Sequence, residues 1–171
     1  MTNSHTSFFF SDIVGYSKIV ERDEKLAFQL LQEHNRIIEK SVTENEGRVV
    51  KYIGDSVFAE FNTPDSACVA ALAIQCSLQE RNSLSRHDDE VHIRLGVHTG
   101  EAIREEGDLF GNDINIASRI ESIAQPDSVF ISDAVLQNVN SPSNYHSRQI
   151  NIFHNSNIPI LPYSHLHKLY S

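Results

Sequence analysis

Two acidic residues, Asp12 and Asp55, close strongly apolar runs, Ser7 to Val14 and Arg48 to Ile53. Where two such strands end on one sheet edge, two carboxylates beside strand-end carbonyls form a hard, all-oxygen ligand set. That set suits Mg²⁺ or Mn²⁺, with a substrate phosphate completing the shell. For either residue alone the structural alternative is simple: Asp12 caps the short helix that follows and Asp55 supplies turn geometry. Asn115 and Arg119 are four apart, so on a helix they share a face, and Asp108 opens the turn leading into that segment. An Arg can clamp a phosphoryl oxygen while an Asn orients a ribose or a phosphate. The alternative for an isolated N-x-x-x-R pattern is an exposed helix face with Arg119 paired to a surface acid.

The elements that must position these groups follow from periodicity. Ser7 to Val14 is rich in aromatic and β-branched residues, as a buried central strand requires. From Glu24 to Val42, apolar residues recur at helical spacing with His34 as the polar member of the stripe, and Gly47 follows as a stop. Arg48–Ile53 and Ser56–Phe61 flank Gly54-Asp55, a two-residue turn that closes a hairpin. Pro64 to Gln79 reads as a second helix and Val91 to Val97 as a strand, with Glu101 to Arg104 as its expected partner. Asn112 to Ala124 is a third helix, and Val129 to Ser132 a further strand. The order strand, helix, hairpin, helix, strand predicts an α+β, ferredoxin-like βαββαβ core with additional strands and a third helix. In that topology the first two strands run parallel, which carries Asp12 and Asp55 to one edge.

Composition narrows the partners. The 171 residues carry 40% hydrophobic and 22% charged side chains, the profile of one globular domain with room for one core. We expect a single domain over 1–171, with a core at 7–132 and a tail of different character at 138–171. After Ser143 only Arg148 and Lys168 are charged, so all 23 acidic side chains precede it. A net charge of -9 disfavours nucleic acid or a polybasic membrane contact, both of which need local positive charge. The apolar run Phe8 to Phe10 is too short for membrane insertion or a signal peptide, so the segment is expected to be cytoplasmic. Cys68 and Cys76 are about 12 Å apart along the second helix, too far to bridge. Zinc has no support beyond His165 and His167 near the end.

Four strings together carry a family resemblance: FFFSDIVGYSKI at 8–19, GRVVKYIGDSVFAEF at 47–61, IRLGVHTGEAI at 93–103 and GDLFGNDINIASRIESIA at 107–124. In order and spacing they resemble the class III nucleotidyl cyclase catalytic domain, of the adenylate cyclase type, and cover most of residues 7–132. The resemblance implies that Asp12 and Asp55 hold two metal ions per site, Mg²⁺ or Mn²⁺, with the Ile13 carbonyl as a further ligand. It implies that Lys51 and Asp108 select adenine, and that Asn115 and Arg119 position the ribose and stabilise the pentavalent phosphate. It further implies ATP as substrate, cyclic AMP and pyrophosphate as products, and a homodimer with two shared active sites. Relatives are usually fused to sensor domains, so a fused or separate sensor is expected.

Three positions depart from the family pattern. Tyr52 stands where a small residue or Thr is frequent, which would narrow the base pocket and is the sequence hint of altered base specificity, for a pyrimidine nucleotide or GTP. Ser56 replaces a frequent Gly. The triphosphate-binding Lys of the tail is missing, and His154 is the residue placed to substitute for it, with an ordinary polar loop histidine as the alternative. That missing Lys also keeps open a third reading, a catalytically silent nucleotide-binding dimerisation module.

Overall fold

A computed structural model of the protein describes residues 2–140, 145–150 and 163–168. Strand β1 (Thr2–Ile13) lies between β3 (Ser56–Phe61) and β4 (Ile93–Glu105), antiparallel to both, and β2 (Gly47–Ile53) pairs antiparallel with β3 on its outer side. Because β1 and β2 are both antiparallel to β3, they run parallel to each other. Their C-terminal ends therefore share one edge. The sheet continues from β4 through β6 (Ser128–Ser132), parallel to β4, to β8 (Tyr163–Lys168) and β7 (Tyr145–Ile150), while β5 (Asp108–Phe110) folds back on the end of β4. The β4-β1-β3-β2 order with its crossover helices is the ferredoxin-like core.

Alternation in β1 sorts the core into two layers. Phe9 and Ile13 pack under helices α2 (Glu24–Glu44) and α3 (Pro64–Ser83), with Leu30, Ile38, Ile74, Ile93 and Leu95. Phe8 and Phe10 face the other way, against Phe58, Ala102, Leu109 and the Ile114 and Ala117 side chains of helix α4 (Asn112–Ile123). A strand buried on both faces has no solvent-facing alternate, which is why Phe8-Phe9-Phe10 is an unbroken apolar run between the buried Ser7 and Ser11. Burying each such ring contributes roughly 2–3 kcal/mol. The helices begin where their caps dictate: the Asp23 side chain accepts from the Leu26 N–H at 3.0 Å, and Thr63 accepts from the Ser66 N–H at 3.1 Å with Pro64 in the first turn. Two short helices, α1 (Tyr16–Arg22) and α5 (Asp133–Asn138), follow β1 and β6.

The structure corrects one element. Glu101–Arg104 is not a partner of Val91–Val97 but its continuation: β4 runs unbroken to Glu105, paired with β1 from Ile93↔Ile13 to Arg104↔Thr2. Gly96 and Gly100 do not end the strand; they admit α4. A Cβ at Gly96 would lie 2.2 Å from the Glu121 backbone nitrogen, and one at Gly100 2.1 Å from the Asp113 carboxylate. Glycine in a strand marks close approach as readily as a turn.

Candidate active site

The shared edge brings Asp55 against the end of β1. Gly54, with φ of +63°, makes the turn that Asp55 completes, and the Asp55 carboxylate turns back to accept the Ile13 backbone N–H at 3.1 Å. Asp12, one residue earlier, points to the α4 side of the sheet, in alternation with Phe8 and Phe10. It does not cap α1, whose N-cap is Gly15 with no side-chain hydrogen bond. Burial raises the Asp55 pKa and the Asp12 charge adds to this, while the Ile13 N–H and Arg94 oppose it.

Between Asp12 and α4 lies a residue that the motif pattern did not single out. Arg94, the β4 register partner of Asp12, donates from Nε to Asp12 Oδ1 at 3.0 Å and from Nη2 to Oδ2 at 2.5 Å. Its Nη1 donates to the Ser122 carbonyl at 3.3 Å, and its Nε lies 3.5 Å from Glu121 Oε1. Glu121 is only 7% exposed, and its Oε1 has no hydrogen-bond partner. Burial and the Asp12 carboxylate push its pKa up to about 8. A sequence signal for Glu121 exists: it falls four residues after Ala117 and seven after Ile114, an acid on the apolar stripe of α4.

A second cluster forms where the β4–β5 arm folds over the α4 face. Lys51 Nζ lies 2.6 Å from Asp108 Oδ2, between the rings of Phe58 and Phe110 at 6.0 and 5.9 Å. Lys51 holds Asp108 below the usual carboxylate range. A register shift between Val49 and Lys51 makes this possible, because the extra residue, Val50, puts Lys51 on the Phe58 face rather than on the helix face with Val49. Glu60 fastens the arm: it accepts from Arg48 at 2.7 Å and from Arg104 at 3.0 and 2.6 Å, and Arg48 also donates to the Gly107 carbonyl at 3.0 Å. Burial pushes the Glu60 pKa up, but the two guanidinium groups hold it below the ordinary value. The Tyr52 hydroxyl bonds Glu39 of α2. Its ring thus stands on the opposite face from Lys51 and does not narrow a pocket there, contrary to the sequence expectation.

Asn115 and Arg119 are exposed on α4 and have no hydrogen bond or ion pair among the described residues. At about 100° per residue, Arg119 is turned about 200° from Glu121, away from the Asp12 cluster. His154 lies outside the described residues. No three His, Cys, Asp or Glu side chains among the described residues are arranged to hold a metal ion, and both cysteines are free.

With this geometry in place, comparison with known proteins is decisive. Residues 2–158 match the model of the adenylate and guanylate cyclase catalytic domain. The chain belongs to that family. A putative adenylate cyclase 3 of Rhizobium meliloti is 39% identical to the cyclase domain over 126 residues, which are 73% of this chain and 22% of that protein. The chain thus spans about a fifth of the length of this relative. An adenylate/guanylate cyclase/hydrolase from Silicibacter pomeroyi superposes with a TM-score of 0.82 at 26% identity, covering 97% of this chain and 98% of the other. The guanylate cyclase domain of RhGC from Catenaria anguillulae, in complex with GTP, shares the fold with a TM-score of 0.82 at 18% identity over 98% and 99% of the two chains. No helix among the described residues is long and apolar enough to cross a membrane.

Proposed function

We propose that this cyclase domain converts ATP to 3',5'-cyclic AMP and pyrophosphate. The observation that carries the substrate choice is the Lys51–Asp108 pair. It presents a donor beside an acceptor, the complement of adenine N1 and its 6-amino group. Guanine offers the reverse pattern and would leave both groups unpaired. The relatives' names support the same reading.

In the reaction, the ribose 3'-oxygen forms a bond to the α-phosphorus in line as the bond to the bridging β-oxygen breaks and pyrophosphate leaves. Asn115 orients the ribose. Arg119, with no partner among the described residues, meets the charge that builds on the α-phosphoryl oxygens in the transition state. Asp12, Asp55 and the Ile13 carbonyl are the groups that would hold divalent cations. Their chemistry fits Mg²⁺ or Mn²⁺, because every donor is a hard oxygen and the Asp55 carboxylate is already turned back onto the end of β1 beside Asp12. Bound there, divalent cations would lower the pKa of the attacking hydroxyl and neutralise the β- and γ-phosphates. Since α4 turns Arg119 away from Asp12, one protomer does not complete the site. We place it at a homodimer interface, carboxylates from one copy and Lys51, Asp108, Asn115 and Arg119 from the other.

Incubating the pure protein with ATP, GTP, CTP or UTP and Mn²⁺, and identifying products by mass spectrometry, tests the proposal. Cyclic AMP as the main product is expected. A cyclic pyrimidine nucleotide would overturn the substrate assignment, and no product from any nucleotide would leave a nucleotide-binding module.

A further inference from the structure

Asp108 begins the three-residue strand β5. It pairs with Glu105 across a two-residue turn, Glu106 and Gly107, whose φ angles of +49° and +85° are both left-handed. Two such residues in a row close a tight hairpin, so where the turn goes Asp108 follows. The turn is anchored from outside the arm. Arg48, near the start of β2, donates from Nη2 to the Gly107 carbonyl at 3.0 Å and from Nε to Glu60 Oε1 at 2.7 Å. Arg104, on the arm itself, donates to the two Glu60 oxygens at 3.0 and 2.6 Å, and Glu60, on β3, is 8% exposed. These contacts close a ring: β3 to β2 through Arg48, β2 to the turn through Gly107, and the arm back to β3 through Arg104.

We propose that Arg48, aimed by Glu60, is a positioning residue for base selection: by holding the Gly107 carbonyl it sets where Asp108 stands against Lys51, and so the spacing of the acceptor and the donor offered to adenine. A buried ionic network holds strands together no better than well-packed apolar side chains would. What it adds is direction, because a planar guanidinium donates along fixed lines, here one to Glu60 and one to the turn. Lys51 and the Leu109 N–H do most to lower the Asp108 pKa, and the Arg48 charge adds to it. Charge and geometry are therefore two separable routes from Arg48 to Asp108, and the clamp is the geometric one.

The inference rests on the reading of Lys51 and Asp108 as the base-selecting pair, and the test separates the two. The ratio of kcat/KM for ATP to that for GTP is measured with Mn²⁺ for wild type, Asp108→Asn, Arg48→Met, Arg48→Lys and the Arg48→Met/Asp108→Asn pair. Amide hydrogen exchange across the arm is measured on the nucleotide-free proteins. Arg48→Met is expected to lower the ratio roughly fivefold. Because the Arg48 side chain is 45% exposed, its removal should leave the thermal midpoint near that of wild type. Arg48→Lys keeps the charge for Glu60 but has no planar fork to reach the turn as well, and should lower the ratio as much. A wild-type ratio in Arg48→Lys would mean that charge alone matters and would overturn the clamp. In the Asp108→Asn background, removing Arg48 should change the ratio no further; an additive loss would place the action of Arg48 elsewhere and overturn it too. The amides of Gly107 to Leu109 should exchange faster in both Arg48 variants while those of β1 and β3 keep their protection. Unchanged exchange in the arm sinks the clamp alone. No turnover of either nucleotide, or a ratio unchanged in Asp108→Asn, sinks the base reading and the clamp together.

Discussion

At the residue scale, the chemistry is divided between a cluster of like charges and a pair of opposite ones. Asp12, Asp55 and Glu121 lie around Arg94, and burial first, then the Asp12 carboxylate, raises the pKa of Asp55 and of Glu121; Lys51 and Asp108 neutralise each other. The two arrangements differ in what a substitution does. Removing Asp55 relieves its repulsion with Asp12, whereas breaking the Asp12–Arg94 or the Lys51–Asp108 pair leaves a partner unmatched. Base selection should therefore fail in a directed way. Lys51→Glu combined with Asp108→Cys is expected to lose discrimination for ATP by about 1–3 kcal/mol and to gain GTP turnover, read as kcat/KM for each nucleotide. An unchanged ATP preference in that variant would show that the base is read elsewhere. Tyr52 has no part in this, since its hydroxyl is engaged by Glu39 on the far face, and Tyr52→Phe should leave the ATP to GTP ratio as it is.

At the element scale, β4 is the piece on which everything else is registered. Its start carries Arg94 to Asp12, its middle takes α4 through Gly96 and Gly100, and its end turns into the arm that brings Asp108 to Lys51. Gly96→Ala must push α4 off the sheet or fail to pack, because the added carbon meets backbone atoms at 2.2 to 2.8 Å. A loss of about 2–4 kcal/mol in urea unfolding is expected. At the start of β4, His92 is bonded by Asp127 at 2.8 Å and by Glu90 at 3.0 Å. Burial lowers its pKa, but the two carboxylates outweigh that and raise it above the ordinary 6.5. A raised folded-state pKa means that this contribution is complete below pH 6.5 and is lost as pH rises through the higher folded value. Thermal stability should thus fall over that window in the wild type by more than in His92→Gln; parallel curves would remove the assignment. The same elements show what was legible beforehand. Helices α2, α3 and α4 and the Gly54 hairpin were readable because caps, stripes and turn residues are local. The unbroken β4 was not, since Gly96 and Gly100 signal either a break or a helix pressed close, and only the distant α4 decides between them. Nor was the bulge at Val50, which the Gly54 turn does not reveal, or Arg94 as the partner of Asp12, which depends on a register set 82 residues away. The pairing of Lys51 with Asp108 came from family resemblance, and no local rule would have given it.

At the scale of the whole molecule, α4 separates the groups that the proposed reaction would join. Glu121 reaches inward to Arg94 beside Asp12, while Asn115 and Arg119 project outward with no partner among the described residues. The proposed symmetric dimer would solve this by presenting the outward face of one α4 to the carboxylate edge of the other, and symmetry would then make two equal sites. Two inactive variants test it. Asp12→Ala keeps Lys51, Asp108, Asn115 and Arg119, and Arg119→Ala keeps Asp12 and Asp55. A mixed dimer holds one site with both defects and one with neither. Activity is expected to return on mixing, to about a quarter of the wild-type level for equal amounts and random exchange, since half the dimers are mixed and each has one intact site. Specific activity of the wild type should also rise with protein concentration where the dimer is partly dissociated. A mixture that stays inactive while mass spectrometry shows mixed dimers would mean that each chain builds its site alone, and the outward-facing Arg119 would then need another role.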